Sequence, residues 1–347
     1  MIRPITTYSL DEIADLFDRL GEKAFRRKQL LSWLYGHGAS NYDEMTNLSK
    51  ALRARLSEDA PLEPVPIVSK LVSSDGTRKY VFELFDGQRI ESVAIPSRSS
   101  KERLTACVSS QVGCAMGCAF CATGHEGFTR NLFAGEIARQ IVEVQADMGR
   151  RVSNVVIMGQ GEPFLNYDST LAALRLMNSP DALGIGARHI VVSTCGIIPG
   201  IERFAAEPEQ FTLAISLHTA RQELRDALMP KASAYPLTDL KLALQSYLTQ
   251  TNRRITFEYL LIDGVNDTDA DIIALEQFCH GLLCHINFLP MNSVASSPFQ
   301  PSPQSVVQAW TEYFNDHGIE ATVRTSRGSD IAGACGQLKN ALSCDNR

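Results

Sequence analysis

The sequence predicts an α/β protein in which a small N-terminal helical segment and a β-hairpin extension precede a larger domain built on a parallel sheet. Two observations carry this expectation. From residue 104 onward, short apolar runs at 104–108, 154–158, 189–193, 212–216, 255–261 and 285–289 alternate with helical stretches. Strands separated by helices pair in parallel, because each crossover returns the chain to the same end of the sheet. Six such strands imply a sheet either curled into a partial barrel or doubly wound, and in both geometries ligands collect beyond the carboxyl ends of the strands. Before residue 104 the rhythm is different, first helical and then strictly alternating.

Residues 9–60 read as short amphipathic helices: Leu10, Ile13, Leu16, Phe17 and Leu20 recur at three- and four-residue steps, with Gly21, Gly36 and Gly38 as breaks. Between 66 and 96 the period drops to two. Lys79-Tyr-Val-Phe-Glu-Leu and Ile90-Glu-Ser-Val-Ala-Ile alternate around Asp75-Gly76 and Asp86-Gly87, the turn pairs of antiparallel hairpins. Pro96 and the polar run 97–102 read as a linker. Farther on, Ile137, Ile141, Val144 and Met148 share one face of a helix over 134–148. The expected units are a helical domain over 1–62, a hairpin connector over 63–99, the main domain over 100–338 and a short tail over 339–347.

With 347 residues, 44% of them hydrophobic, the chain can bury a sizeable core, and general disorder is excluded. The start shows no cationic segment leading into an apolar one, and no window offers about 18 uninterrupted apolar residues, so neither a signal peptide nor a membrane span is expected. A cytoplasmic protein follows as the expectation, and in that compartment nine cysteines point to ligation, catalysis or burial rather than to a disulfide framework. Cys195, Cys279, Cys284 and Cys344 are assigned to burial or chance, since a free cysteine packs as a small hydrophobe. A net charge of −6 argues against a surface that grips nucleic acid everywhere. It leaves room for a local patch: Lys23, Arg26, Arg27, Lys28, Lys50, Arg53 and Arg55 face only Asp43 and Glu44 between 23 and 55. That segment is either a surface that meets phosphates or a solvated helical face.

The most informative motif follows the first parallel strand. Cys114, Cys118 and Cys121 stand as Cys-Ala-Met-Gly-Cys-Ala-Phe-Cys. Three closely spaced thiolates can hold three irons of a [4Fe–4S] cluster and leave the fourth open, whereas an electron-transfer cluster takes four cysteines. An iron with an open position can bind and reduce a ligand, and in radical chemistry that ligand is S-adenosylmethionine (SAM). The competing reading is a structural zinc with His125 as fourth ligand.

The loops after the other strands supply what a bound SAM needs. Glu162, beside Gly161 in Gly159-Gln-Gly-Glu-Pro, can accept from the ammonium while the glycines let backbone approach. Ser193, and Ser216 with Leu217 and His218 after the fourth strand, can meet the carboxylate or ribose, and Asn292 a ribose or adenine edge. Taken singly, these are ordinary turn and cap residues. The run lacks the third glycine of a dinucleotide fingerprint, and no phosphate-binding Gly-x₄-Gly-Lys-Ser/Thr loop occurs. Cys107 lies on the strand that enters the cysteine loop, and Cys335 near the C-terminus, so the two thiols meet at the cofactor only if the tail folds back.

Ser109-Ser-Gln-Val-Gly-Cys-Ala-Met-Gly-Cys-Ala-Phe-Cys-Ala-Thr-Gly, Gly127-Phe-Thr-Arg-Asn-Leu, Met158-Gly-Gln-Gly-Glu-Pro, Ser216-Leu-His and Ala334-Cys-Gly-Gln-Leu together resemble the RlmN/Cfr family of radical-SAM methyltransferases. The likeness runs from Phe25-Arg-Arg-Lys-Gln-Leu to Leu338 and is closer to the RlmN branch, judged by Gln111-Val-Gly and Ala115-Met-Gly. It implies a radical-SAM partial (β/α)6 barrel and methylation of adenosine in 23S ribosomal RNA or tRNA, at carbon 2 rather than carbon 8. By the same resemblance Cys335 takes a methyl from one SAM, and a second SAM, cleaved at the cluster, yields the radical that activates the S-methyl group for addition to the adenine ring. Cys107 then releases the product through a transient disulfide, and Glu91 accepts the ring proton, although on sequence alone Glu91 could equally be an exposed strand residue. The implied partners are RNA and a flavodoxin- or ferredoxin-type reductant, with a monomeric protein and no membrane. Gln160 stands where that family commonly has Met, Cys195 where it often has Ser, and Ser329 and Gly333 where it has Asp and Ala.

Overall fold

The computed structural model describes residues 2–98, 103–292 and 297–339; Cys344 and most of the 339–347 tail lie outside them, as do 99–102 of the expected linker. Helix α1 (Leu10–Arg19) starts where Ser9 and Glu12 cap each other: the Glu12 N–H donates to Ser9 Oγ and the Ser9 N–H to Glu12 Oε2. It buries Ile13, Leu16 and Phe17. Helix α2 (Ala24–Leu31) does not break at Gly36. It runs on through a π-helical turn over Ser32–His37 and stops only at Gly38, whose φ of 67° ends the helix. Helix α3 (Lys50–Asp59) is capped by Ser49. The apolar faces of all three join the main core. The N-terminal segment sits so close to Gly135 that a Cβ there would lie 2.3 Å from the Thr6 carbonyl oxygen.

Strands β1 (Ile67–Val72), β2 (Arg78–Glu83) and β3 (Arg89–Pro96) form an antiparallel meander turning at the two expected Asp-Gly pairs. In both turns the aspartate Oδ1 accepts a backbone N–H two residues on, from Thr77 and from Gln88. The meander is not a separate layer. β3 pairs with β4 (Leu104–Cys107), Val93 opposite Cys107, and so extends the main sheet. A small ribbon, β5 (Gln111–Gly113) with β6 (Phe128–Asn131), brackets the cysteine loop and its helix α4 (Ala122–Glu126).

The rest follows the expected alternation: α5 (Ala134–Met148), β7 (Asn154–Ile157), α6 (Tyr167–Asn178), β8 (Ile190–Thr194), α7 (Ile198–Ala205) and β9 (Thr212–Ser216). Then come α8 (Gln222–Leu228), α9 (Leu237–Thr251), β10 (Ile255–Leu261), α10 (Asp269–Cys279), β11 (Cys284–Pro290), α11 (Gln304–Asp316) and β12 (Ala321–Val323). β12 is a seventh parallel strand that sequence reading misses, because three residues are too few to show a period. The sheet has ten strands in the order β1-β2-β3-β4-β7-β8-β9-β10-β11-β12. This order decides between the two geometries left open. A doubly wound sheet reverses its order at a switch point; here the parallel strands succeed one another without reversal, so right-handed crossovers put every helix on one face and the sheet curls as a partial barrel. Its edges are β1 and β12. No helix among the described residues is long and apolar enough to cross a membrane.

Asp147, at the end of α5, ties that helix to the meander. It accepts from Lys70 Nζ at 2.7 Å, Arg78 Nη1 at 2.6 Å and Tyr80 Oη at 2.8 Å. Burial alone would push its carboxyl up, but the three donors outweigh burial and hold it at about 2. A carboxyl held below its unfolded value of roughly 3.9 adds stability that is present above that pH and lost as pH falls through the folded value. Replacing Asp147 with Asn should therefore cost about 1–2 kcal/mol at neutral pH, with Lys70 discounted for its exposure. In urea unfolding the gap between variant and wild type should shrink between about pH 4 and pH 2; a pH-independent gap counts against the ion-pair account.

Candidate active site

The cysteine loop is fixed by its own backbone. The Cys114 N–H donates to the Gly127 carbonyl at 2.7 Å, Ala119 to Leu228 at 2.9 Å, and Cys121 to Cys118 at 3.1 Å. Burial, followed by the neighbouring Cys118 and Cys121, pushes the Cys114 thiol up to about 12, and burial with Cys118 raises Cys121 as well. Raised thiols at Cys114 and Cys121, with Cys118 beside them, suit a metal group whose positive charge would offset the loss of their protons. His125 does not offer the fourth ligand that a structural zinc would need, because its exposed ring donates through Nε2 to the Ala119 carbonyl at 3.2 Å. The donor set of three thiols in one loop fits a cluster that Cys114, Cys118 and Cys121 would hold.

Beside the loop, at the carboxyl ends of β7 to β11, lies a cavity of about 150 Å³ lined by Gly161, Glu162, Ser193, Ser216 and His218, with Cys121 at its border. Glu162 is buried, its carboxyl raised by burial and opposed by N–H groups it accepts from Cys195 at 2.7 Å and Phe164 at 3.0 Å. Gly161 has φ +104°, and a Cβ there would lie 2.6 Å from the Gln111 Cβ, so only glycine lets this turn pass. The Ser193 and Ser216 hydroxyls are 3.0 Å apart. His218 stands at φ 58° with Nδ1 accepting the Leu260 N–H at 3.1 Å, and burial, then Arg225, lowers its pKa to about 3. The ring is thus neutral with its proton on Nε2, and it packs edge-on against Phe120. Leu217 does not line this cavity. It is fully buried, its N–H on the Glu258 carbonyl and its own carbonyl on Arg225 Nη1, so it braces the strand end from behind.

An adjoining cavity of about 140 Å³ brings together Cys107 and Cys335, with Asn292 on its wall. The C-terminal segment does fold back. Ala122 N–H donates to the Gly336 carbonyl at 2.7 Å, Thr123 Oγ1 to the Leu338 carbonyl at 2.6 Å and Asn292 Nδ2 to the Cys335 carbonyl at 3.2 Å. Cys335 is exposed; Cys107 is buried, and burial followed by the charge of Cys335 pushes its thiol up to about 12. Glu91 is not an exposed strand residue but wholly buried. Lys79 Nζ lies 3.3 Å from its Oε1, and the Lys339 N–H donates to its Oε2 at 2.9 Å. Burial raises its carboxyl to about 7 against both donors. Gln160 braces the same residue, its Oε1 accepting the Glu91 N–H at 3.0 Å.

Four residues escaped sequence reading. Cys195, assigned to burial or chance, lines the first cavity and its thiol hydrogen-bonds that of Cys118. Glu258 and Arg324 also line it, and Lys79 backs Glu91. A charge inside an otherwise apolar strand, as Glu258 is in Ile255-Thr-Phe-Glu-Tyr-Leu-Leu, was the available signal for one of them. Cys279 and Cys284 are buried away from the site. In the basic segment Arg26 and Arg53 donate to the Asn47 and Asp43 carbonyls and Lys28 pairs with Asp181, while Lys23, Lys50 and Arg55 are exposed.

Residues 108–275 match the radical SAM superfamily, and residues 5–62 match the ribosomal RNA large subunit methyltransferase N-terminal domain. Over 98% of the chain and 100% of its counterpart, the fold superposes on the crystal structure of a radical SAM methyltransferase from Sphaerobacter thermophilus with a TM-score of 0.92 at 42% identity. By fold and site the molecule is a radical SAM enzyme, whose cofactors are a [4Fe–4S] cluster and SAM. It is 44% identical over 97% of its length to a probable dual-specificity RNA methyltransferase RlmN of Clostridium novyi, covering 98% of that protein. A second so described, from Alkaliphilus metalliredigens, is 46% identical over 96% of this chain and 94% of its own. The chain belongs to the RlmN family of RNA methyltransferases.

Protein purified and reconstituted without oxygen should carry about four iron and four sulfide per chain. Changing Cys114, Cys118 or Cys121 to Ala should remove the cluster's absorbance together with SAM cleavage. Stoichiometric zinc after the same treatment would contradict a cluster at this loop.

Proposed function

We propose that this enzyme methylates carbon 2 of adenosine in 23S ribosomal RNA, tRNA or both, with Cys335 as the methyl carrier and Cys107 as the thiol that frees the product. The observation that carries the reading is the meeting of Cys107 and Cys335 in one cavity that opens beside the proposed SAM site. Glu162, Ser193, Ser216 and His218 are assigned to SAM from the walls of its cavity, and Asn292 from the border with Cys335. Cys335, the exposed thiol, attacks the methyl carbon of SAM; the carbon–sulfonium bond breaks and S-adenosylhomocysteine leaves. The cluster, when bound, supplies the electron that cleaves a second SAM to a 5′-deoxyadenosyl radical. Once the carried carbon is joined to the adenine ring, protein and RNA are linked through the Cys335 sulfur. Cys107, as thiolate, attacks that sulfur; the sulfur–carbon bond breaks with its electron pair going to carbon, which takes a proton and becomes the methyl group, and the Cys107–Cys335 disulfide left behind is reopened by an external reductant. Glu91, with a carboxyl near 7, suits a base that takes the ring proton at neutral pH.

Residues 1–62 are assigned to RNA, with Lys23, Lys50 and Arg55 positioned by phosphates rather than by base edges. Residues 63–99 connect them to the core over 100–338. The protein is read as a cytoplasmic monomer served by a flavodoxin- or ferredoxin-type donor. Carbon 2 is favoured over carbon 8 because the cluster loop resembles the RlmN branch and the relatives carry that name.

The two thiols should fail differently. Cys335→Ala removes the carrier, so neither product nor adduct forms; Cys107→Ala keeps the carrier but blocks release, so a covalent RNA–protein species accumulates and is seen as a slowed band that nuclease collapses. Retained methylation in both variants refutes the two-thiol reading.

The ring position is decided by mass spectrometry of digested ribosomal RNA and tRNA from cells lacking the gene and from complemented cells. 2-Methyladenosine should disappear in the first and return in the second. 8-Methyladenosine, or no change in any modified adenosine, contradicts the assignment.

A further inference from the structure

Displacement at a sulfonium methyl needs sulfur as thiolate, and a cation beside a thiol favours that form. Among the described residues, the guanidinium of Arg324 lines both cavities, and so does Cys335. The other arginine on these walls, Arg327, is committed to Asp75 through Nε at 2.7 Å and Nη2 at 2.9 Å, and His218 is neutral.

Arg324 is also held for a purpose. It follows β12, and its N–H donates to the Phe288 carbonyl on β11 at 2.9 Å, which fixes the backbone. Nη1 lies 3.6 Å from Met158 Sδ and 3.9 Å from Glu258 Oε2. Glu258 is itself buried, steadied at Oε1 by Asn287 Nδ2 at 3.1 Å, while Oε2 has no hydrogen-bond partner among the described residues. A buried carboxylate left half-satisfied is costly, and a nearby cation is what offsets it. The contact is an ion pair without a hydrogen bond, which leaves the guanidinium's other N–H groups free to face the cavities.

We propose that Arg324, steadied by Glu258, balances the negative charge of the Cys335 sulfur and so makes this cysteine the methyl acceptor. The inference rests on the reading of Cys335 as carrier. In the step concerned, an electron pair of the Cys335 sulfur forms the new S–CH₃ bond as the pair of the old bond returns to the sulfonium sulfur, which leaves neutral. Negative charge on the protein and positive charge on SAM disappear together, so Arg324 serves the reactant state of the thiol, before methylation. Cys335 is the largest influence on Arg324, and Arg324 in turn pulls Cys107 down against burial. Besides Arg324 and Arg327, the titratable groups that line these cavities with Cys335 are Cys107, Cys121, Cys195, Glu162, His218 and Glu258.

The test uses the full-length, cluster-loaded protein without RNA. Alkylation of Cys335 by iodoacetamide and by iodoacetate is followed at one pH by mass spectrometry of its peptide, beside the rate of Cys335 methylation at saturating SAM. Arg324→Met should slow alkylation about tenfold, slow iodoacetate further because the anion loses its attraction, and lower the methylation rate with little change in KM for SAM. Arg324→Lys should restore most of each. Continued protection of Cys279, buried in the native fold, reports that a variant is folded; should Arg324→Met lose it, Arg324→Gln, which keeps a polar side chain without the charge, is expected to give the same slowing. Alkylation at the wild-type rate in a folded Arg324→Met or Arg324→Gln protein, or no rescue by lysine, overturns the proposal. If wild-type Cys335 accepts no methyl at all, the carrier reading falls instead, and the alkylation contrast still reports on Arg324.

Discussion

The site depends on two hydrogen bonds that fasten the C-terminal segment to the helix after the cysteine loop. Ala122 N–H to the Gly336 carbonyl and Thr123 Oγ1 to the Leu338 carbonyl bring Cys335 over the carboxyl ends of the strands. Both donors belong to the first turn of α4, where N–H and hydroxyl groups are otherwise unpaired. The geometry then propagates: Lys339 reaches Glu91, Leu338 packs with Cys107 and Val93, and the two cavities acquire their common wall of Met158, Leu289, Arg324 and Cys335. Without that strap the barrel mouth would hold a cluster loop and a row of polar strand ends, but only one of the two thiols.

Buried charge is the second organising constraint, and the fold treats each instance separately. Glu162 is satisfied by backbone N–H groups from the two loops it joins, so it doubles as a tie between the ends of β7 and β8. Arg225 spans from the Leu217 carbonyl to the Cys195 carbonyl and supports the strand ends from below. Glu91 receives an ammonium and a main-chain N–H, too little to cancel its burial, and its carboxyl therefore stays near 7 where an ordinary one lies near roughly 4.3. Two donors leave both Glu91 and Glu162 raised by burial, whereas three donors hold the less buried Asp147 below the ordinary value.

Much of this was legible in the sequence, for identifiable reasons. Strands buried on both faces read as unbroken apolar runs, so β9 and β10 fall where the pattern puts them and the other predicted strands within a residue or two. Asp-Gly turns and the cysteine spacing are local chemistry and need no tertiary knowledge. What was hidden depends on partners distant in the chain. β12 is a strand only because β11 lies beside it; Gly36 continues a helix that its residue type disfavours; Glu91 alternates like an exposed residue yet is covered by Lys79 from the neighbouring strand and by the returning tail. Leu217 sits within a motif whose neighbours line the cavity, but strand alternation turns it the other way. Arg324 carries no motif at all, and its place became visible only when the sheet set β10, β11 and β12 side by side.

The contrast between the two thiols completes the argument. Under the proposed chemistry Cys335 must meet SAM first and RNA later, so it stands exposed on a loop. Cys107 has to stay silent until the adduct exists, because a second nucleophile in the same cavity would compete for the methyl group. Burial in the β4 strand does this: with its thiol pushed to about 12, Cys107 is overwhelmingly protonated at neutral pH and a poor acceptor. An exposed thiol and a buried one facing the same cavity suit the two roles proposed for them, one to accept carbon and the other to release it.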